Sequence, residues 1–301
     1  LGLGPEVALA RNPRLVYARM TGWGQHGPQA RYAGHDLTYT ATAGILSSVA
    51  RDPRDGRTPR PVLPGPYLGV ATGGALLLVA GLLAALHSAG RTGVGQVIDA
   101  AITDGACYLT TFTHALRLSG MWDGLPGHNV LDTGAPFYEV YECADGRHLA
   151  VGPLEPQFYD ELLRLLSEHV GLDLGPDDPR RPEHRLDNRR WPEAKVLWEQ
   201  FFHTRTRDDW CAFLEHTDAC VSPVLSLDEA STHAHLAARA AYRPVGGDHG
   251  PTLPVPAPRF SGTPTQTRPS PTPGEHTDEV LTELGYHPAR IATLRSNASV
   301  A

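Results

Sequence analysis

Acidic side chains are missing from one long stretch of this 301-residue chain: none lies between Asp55 and Asp99. Lysine is almost absent too. Lys195 is the single example, so nearly all positive charge is arginine, a bias of a GC-rich genome rather than of function. Cysteine is scarce, with Cys107, Cys143, Cys211 and Cys220 at irregular spacing and no CxxC pair. That excludes a disulfide framework and points to a reduced, cytoplasmic protein. Basic charge is also short. With 26 basic against 33 acidic residues the net charge is −7, which argues against a nucleic-acid partner. Cys211, His216 and Cys220 fall close together, but no fourth ligand accompanies them. Trp210, Phe213 and Leu214 make the same run an amphipathic helix, so no metal is expected.

No signal peptide is expected from the opening residues. It starts mid-pattern on Leu1, which suggests an N-terminal truncation. Hydrophobic content of 41% and charged content of 20% fit a globular chain able to bury a sizeable core. Residues 68–90, LGVATGGALLLVAGLLAALHSAG, are long and apolar enough to test as a membrane span. Gly73, Gly74 and Gly81 interrupt them and no aromatic belt flanks them. The expectation is a buried helix of an α/β core, with no membrane partner.

Along the chain, residues 5–12 read as a helix end and 14–20 as a buried strand. Residues 21–34 are a glycine-rich loop and 36–49 a helix. Residues 51–66 form an exposed, proline-rich loop. The GRTGVG run at 90–95 lacks the ending of a phosphate-binding loop and does not follow a strand. It is read as a turn between the long helix and a second helix, VIDAAITDGACYLTTFTHAL. From Phe137 onward, apolar and polar residues alternate around Ala144-Asp145-Gly146, a hairpin signal. Helices at 156–170 and 192–215 flank a charged loop. A strand and a helix start follow over 221–232, with Ser226 and Asp228 as caps. Three parts result: a large domain over 1–130, a small α+β domain over 137–232, and a return connection with a C-terminal helix over 233–301.

The chemistry concentrates at 15–39, where His35 sits between Gly34 and Asp36 behind the glycine-rich loop. Histidine titrates nearest neutrality, and a loop beside a flexible glycine suits proton transfer. His26 is read as an exposed turn residue, and Asp104 and His114 as groups on helical faces. His128 and Asp132 are candidates for lining a cleft between domains.

YARMTGWGQHGP, AGHDLTY, GQVIDAAITDG, GAPFYEVYECADGRHLAVGPLEPQFY and DACVSPVL occur in this order. Together they resemble the family III CoA-transferase superfamily, and within it the α-methylacyl-CoA racemase branch, over about residues 1–290. The resemblance implies an α/β fold with a Rossmann-like large domain, partly missing at the N-terminus, plus a smaller α+β domain. It implies an interlocked homodimer with the active site between subunits. It also implies an acyl-CoA substrate with no tightly bound cofactor. His35 matches a catalytic base and Glu155 a glutamate that orients or neighbours it. Gly34, Asp36, Leu37, Thr38 and Tyr39 match the loop that contacts the CoA thioester. The chemistry implied is removal of the proton alpha to the thioester and its return on the opposite face, with backbone amides stabilising the enolate.

The chain departs from the family at one position. The family aspartate that is the second acid in racemases, and the nucleophile in transferases, aligns with Val70. Valine neither exchanges a proton nor forms an anhydride. The expectation is therefore racemase-like proton transfer altered by Val70. Its alternatives are CoA transfer between carboxylic acids and a non-catalytic CoA-binding homologue.

Overall fold

The computed structural model describes residues 2–50, 60–123, 125–246, 250–265 and 268–300. They form two compact units, Leu1–Val224 and Leu225–Ala301. The expected proline-rich loop at 51–66 lies mostly outside the described residues; at its edges Ala50 bridges Pro61.

The first unit begins with helix α1 (Pro5–Arg11) and strand β1 (Val16–Thr21). Helices α2 (Asp36–Thr42) and α3 (Ile45–Ser48) follow. They replace the single helix expected at 36–49, because Gly44 adopts a left-handed φ of 83° that ends one helical run and starts the next. A 3-10 turn (Gly65–Tyr67) then leads into a π-helix over Leu68–Leu76, which continues as α4 (Leu77–Thr92). Its wider coil falls on the glycine-rich sequence LGVATGGAL. Helix α4 ends at Gly93, left-handed at φ 75°.

Strand β2 (Gln96–Ala101) comes next and pairs in parallel with β1, from Val16–Gln96 to Thr21–Ala101. This corrects the reading of GRTGVG as a turn between two helices. The turn leads from a helix into a strand. Gly95 permits the entry: a Cβ there would lie 1.9 Å from the Leu15 carbonyl oxygen. Helices α5 (Ile102–Leu109) and α6 (Thr111–Leu118) complete this layer. The π-helix and α5 meet backbone to backbone, since a Cβ on Gly105 would fall 1.8 Å from the Gly73 carbonyl oxygen.

The expected burial of the 68–90 helix is met on one face only. Ala85 and Ala89 are buried, whereas Leu76, Val79, Leu83 and Leu86 form an exposed stripe. By length and composition Gly65–Thr92 is long and apolar enough to cross a membrane, a test that the core helix of a soluble protein also passes.

A second layer in the same unit contains β3 (Glu139–Glu142), β4 (His148–Val151), helix α7 (Pro156–Val170), α8 (Trp191–Phe202), α9 (Arg207–Leu214) and β5 (Val221–Pro223). The strands form an antiparallel sheet in the order β3-β4-β5. The expected 192–215 helix is two helices, separated where Thr206 caps α9 by accepting the Asp209 N–H. Their core is aromatic: Phe137, Tyr141, Tyr159, Trp198, Phe202 and Trp210 are each at most 2% exposed. Lys195 is buried here, 2.8 Å from the Glu139 carboxylate, and donates to the Thr133 carbonyl at 2.5 Å. Thr133 holds a φ of 70°, unusual for a β-branched residue.

The second unit comprises α10 (Leu227–Thr232), α11 (Ala234–Ala238), the antiparallel pair β6 (Tyr242–Pro244) and β7 (Thr252–Pro254), α12 (Thr277–Glu283) and α13 (Pro288–Ser296). Ser226 caps α10 by accepting the Glu229 N–H. Asp228, expected as a second cap, lies in the first helical turn, where a carboxylate complements the helix dipole.

Candidate active site

The loop leaving β1 is held from two sides. Asp99 on β2 accepts the Gln25 N–H at 3.0 Å. Thr103 at the start of α5 donates both its N–H and its hydroxyl to the Gly22 carbonyl at 3.1 Å. The loop then passes under an aromatic pair, Trp23 and Tyr39, packed edge to face with centroids 4.9 Å apart. Two glycines make room for that pair. A Cβ on Gly22 would fall 2.2 Å from the Tyr39 ring, and one on Gly34 would fall 2.5 Å from it. Gly34 is thus set by close packing, a requirement its sequence neighbours alone do not reveal.

His35 is the N-cap residue of α2, with extended φ and ψ of −136° and 172°. The Thr38 hydroxyl accepts the His35 N–H at 3.0 Å and donates to the His35 carbonyl at 2.8 Å. The histidine is exposed, as are Leu37 and Thr38, whereas Tyr39 is buried. The backbone of His35 is therefore fixed by the first turn of the helix it starts, and its ring stands on the surface.

Asp36 turns inward. One carboxylate oxygen accepts the Val70 N–H at 2.6 Å. Gly69 lies directly against the same group: a Cβ there would be 2.4 Å from that oxygen and 3.1 Å from the Thr40 methyl. Thr40 is fully buried and donates to the Asp36 carbonyl at 2.8 Å. Residue 70 therefore lies one hydrogen bond from the residue after His35.

Among the described residues, Arg19 Nε, Trp23 Nε1 and Asp36 Oδ2 are the buried side-chain polar atoms without a hydrogen-bond partner. All three lie on β1, on the loop after it, or at the start of α2. Buried polar atoms are normally paired, so this loop is where the fold leaves hydrogen-bonding capacity unused.

Glu155 belongs to the second layer. It is the exposed N-cap residue of α7, and no hydrogen bond or ion pair joins it to His35 among the described residues. It lies near Cys220, whose thiol is pushed up first by burial and then by the Glu155 charge. Cys220 lines a cleft of about 300 Å³ with Tyr138, Glu139 and Ser222 among others.

Of the other candidates, Asp132 lines a cavity of about 630 Å³ with Phe112, Leu116 and Trp122. His26 is exposed in its turn, Asp104 lies in the first turn of α5 and His114 on α6. Asp132 organises its own loop, accepting the N–H groups of Gly127, Asn129 and Gly134 and the Asn129 amide. His128 lines a separate cleft of about 390 Å³ with Trp191 and Lys195. Cys211 sits on α9, and among the described residues no three His, Cys, Asp or Glu side chains are grouped to hold a metal. Sequence reasoning missed Trp23, Gly69 and Thr40, which shape the site. The short Gly22-Trp23-Gly24 run was the available signal for the first.

A βαβ layer carrying a histidine at the entrance of a helix, together with a small antiparallel sheet and its helices, is the architecture of a CaiB/BaiF-type α/β fold. A solved CaiB/BaiF family protein of Brucella suis superposes with a TM-score of 0.74 at 26% identity, covering 94% of this chain and 71% of that one. Residues 1–277 match the description of CoA-transferase family III, and the chain belongs to that family. It is 40% identical to α-methylacyl-CoA racemase of Mus musculus, over all of this chain and 75% of that protein. Against the Homo sapiens racemase the identity is 38%, over 99% of this chain and 74% of that protein. The family and its racemase-like branch are those the sequence motifs indicated.

Proposed function

We propose that this protein acts on acyl-CoA thioesters by proton transfer at the carbon alpha to the carbonyl, in the manner of a racemase or epimerase. The observation that carries the reading is the exposed His35, fixed at the start of α2 and hydrogen-bonded through Asp36 to residue 70, in a chain this similar to α-methylacyl-CoA racemases. His35 takes the α-proton. The C–H bond electrons move into an enolate whose negative charge rests on the thioester oxygen, and the proton then returns from the imidazolium. The thioester is substrate, and no tightly bound cofactor takes part.

Val70 alters the outcome. Inversion needs a second group on the far face of the carbon, and an isopropyl group carries no exchangeable proton. His35 therefore returns its proton to the face it came from, and exchange with solvent runs with retention for one epimer. CoA transfer is disfavoured on the same ground, because it uses that acid as its covalent nucleophile. Glu155 reaches the site from a second copy of the chain. A homodimer also accounts for the exposed Leu76, Val79, Leu83 and Leu86 stripe, since dimer interfaces are apolar. Such a dimer works in the cytoplasm, on a diffusing thioester.

The test is incubation of each 2-methylacyl-CoA epimer in D2O with wild type, His35→Ala and Val70→Asp. The expected result is deuterium wash-in with retention for one epimer in wild type, loss of at least ~100-fold in His35→Ala, and epimerisation appearing in Val70→Asp. Tight CoA binding with no exchange, unchanged by His35→Ala, would instead identify a non-catalytic ligand protein.

A further inference from the structure

The carboxylate of Asp36 is in an unusual position for a residue beside a candidate catalytic histidine. It is drawn into the fold, whereas His35 is exposed. One oxygen receives the Val70 N–H at 2.6 Å, across 34 residues of sequence. Among the described residues the other is buried without a partner. Three features hold the group there. The bare Cα of Gly69 lets it approach, since any Cβ would come within 2.4 Å of Oδ1 and 2.9 Å of Cγ. The buried Thr40 lies against the same glycine and donates its hydroxyl to the Asp36 carbonyl. The π-helix begins at Leu68, so the Val70 N–H lies in its first turn, where helical donors lack intrahelical acceptors.

We propose that Asp36 is a positioning residue: its carboxylate ties the segment bearing His35 to the backbone of residues 69 and 70, and so sets the histidine's distance from the far face of the reacting carbon. The proposal rests on the α-proton-transfer reading above. It assigns Asp36 a task distinct from contact with the thioester. The tie uses the backbone of residue 70 and not its side chain, so it survives the replacement of the family acid by Val70. Chemistry can be lost at position 70 while the spacing across the site is kept. That is the geometric condition under which Val70→Asp restores a second acid in register.

Reaction rates are steep in such spacing, and a misplacement of about 1 Å can lower kcat by about 100-fold. Asp36→Ala removes the tie. The expected result is a fall in kcat for α-deuterium exchange of roughly 100-fold, with KM changed by less than about 2-fold. Asp36→Asn retains an acceptor for the Val70 N–H and recovers most of the loss. Gly69→Ala, with its Cβ driven into the carboxylate, reproduces the Asp36→Ala defect. The double variant is no worse than either single one, because both remove the same contact.

Amide hydrogen exchange at Val70 reads the tie without substrate. Protection falls at least ~10-fold in Asp36→Ala and is kept in Asp36→Asn, the loss expected when a hydrogen bond worth about 1.5 kcal/mol disappears. The proposal is overturned if Val70 protection is unchanged in Asp36→Ala. It is also overturned if Asp36→Asn is as impaired as Asp36→Ala, or if KM rises while kcat stays constant; those results make Asp36 a group that acts on the substrate directly. If wild type exchanges no α-proton with any acyl-CoA, the functional reading fails, and the Val70 amide still decides the tie.

Discussion

The lone lysine of the chain offers the sharpest test of what holds the second layer together. Lys195 lies 2.8 Å from Glu139, with side chains only 11% and 4% exposed. Its ammonium also donates to the carbonyl of Thr133, which holds a left-handed φ. In Lys195→Met the stem still fills its place against the aromatic core, but the Glu139 charge loses its counterion. Removing one member of a buried pair costs about 3–5 kcal/mol, and leaving the Thr133 carbonyl without its donor adds about 1 kcal/mol. In a unit of this size each kcal/mol moves Tm by about 2–4 °C, so Lys195→Met should melt roughly 10–20 °C below wild type. Lys195→Met combined with Glu139→Leu removes both charges, and it should recover most of that loss, because a buried pair exchanged for apolar groups is near neutral. Thermal unfolding by circular dichroism reads both. A Lys195→Met loss under about 1 kcal/mol, or a double variant as unstable as the single one, refutes the assignment of the pair as a buried counterion contact.

Two further tests follow from packing and titration. Gly105→Ala places a methyl group 1.8 Å from the Gly73 carbonyl oxygen, backbone that cannot turn aside. The π-helix and α5 must then separate, with an expected loss above ~3 kcal/mol and weakened acyl-CoA exchange; a Tm within 2–3 °C of wild type contradicts the close crossing. The Cys143 thiol is pushed up to about 12, first by burial and next by the Asp145 charge. A folded-state value above the unfolded one, ~8.5, stabilises fully below that lower value and is lost as pH rises through the higher one. Tm should therefore decline above about pH 8.5, less steeply in Cys143→Ala. At pH 8, Ellman's reagent should modify the exposed Cys107 and leave Cys143 until the protein unfolds.

Much of the fold was legible because it is locally encoded. Pro156 at the first helical position and left-handed Gly171 after the last bracket α7 at the expected residues. The turn at 144–146 sets the β3–β4 hairpin, and Ser226 caps α10 through a contact three residues long. His35, too, stands at a loop-to-helix boundary marked by its neighbours. Elements that depend on distant partners were not legible. QVIDAA carries helix-compatible residues, and it is a strand because β1 lies alongside it and Gly95 admits the approach. The π-helical start of the long helix, whose Gly73 meets Gly105 backbone to backbone, is likewise an outcome of packing.

The division is the same at the candidate site. The residues available there were legible along the chain: the glycine-rich loop, His35 at the head of a helix, and valine at position 70. The placement of Glu155 in the small domain was legible in the same way, but the meeting of residue 70 with the Asp36 carboxylate, and the inward turn of that carboxylate, came from the fold. Residue identity and helix starts are written over a few successive positions. The meeting of Asp36 with Val70 spans 34 residues and depends on a glycine at 69, a buried threonine at 40 and the coil of the π-helix together.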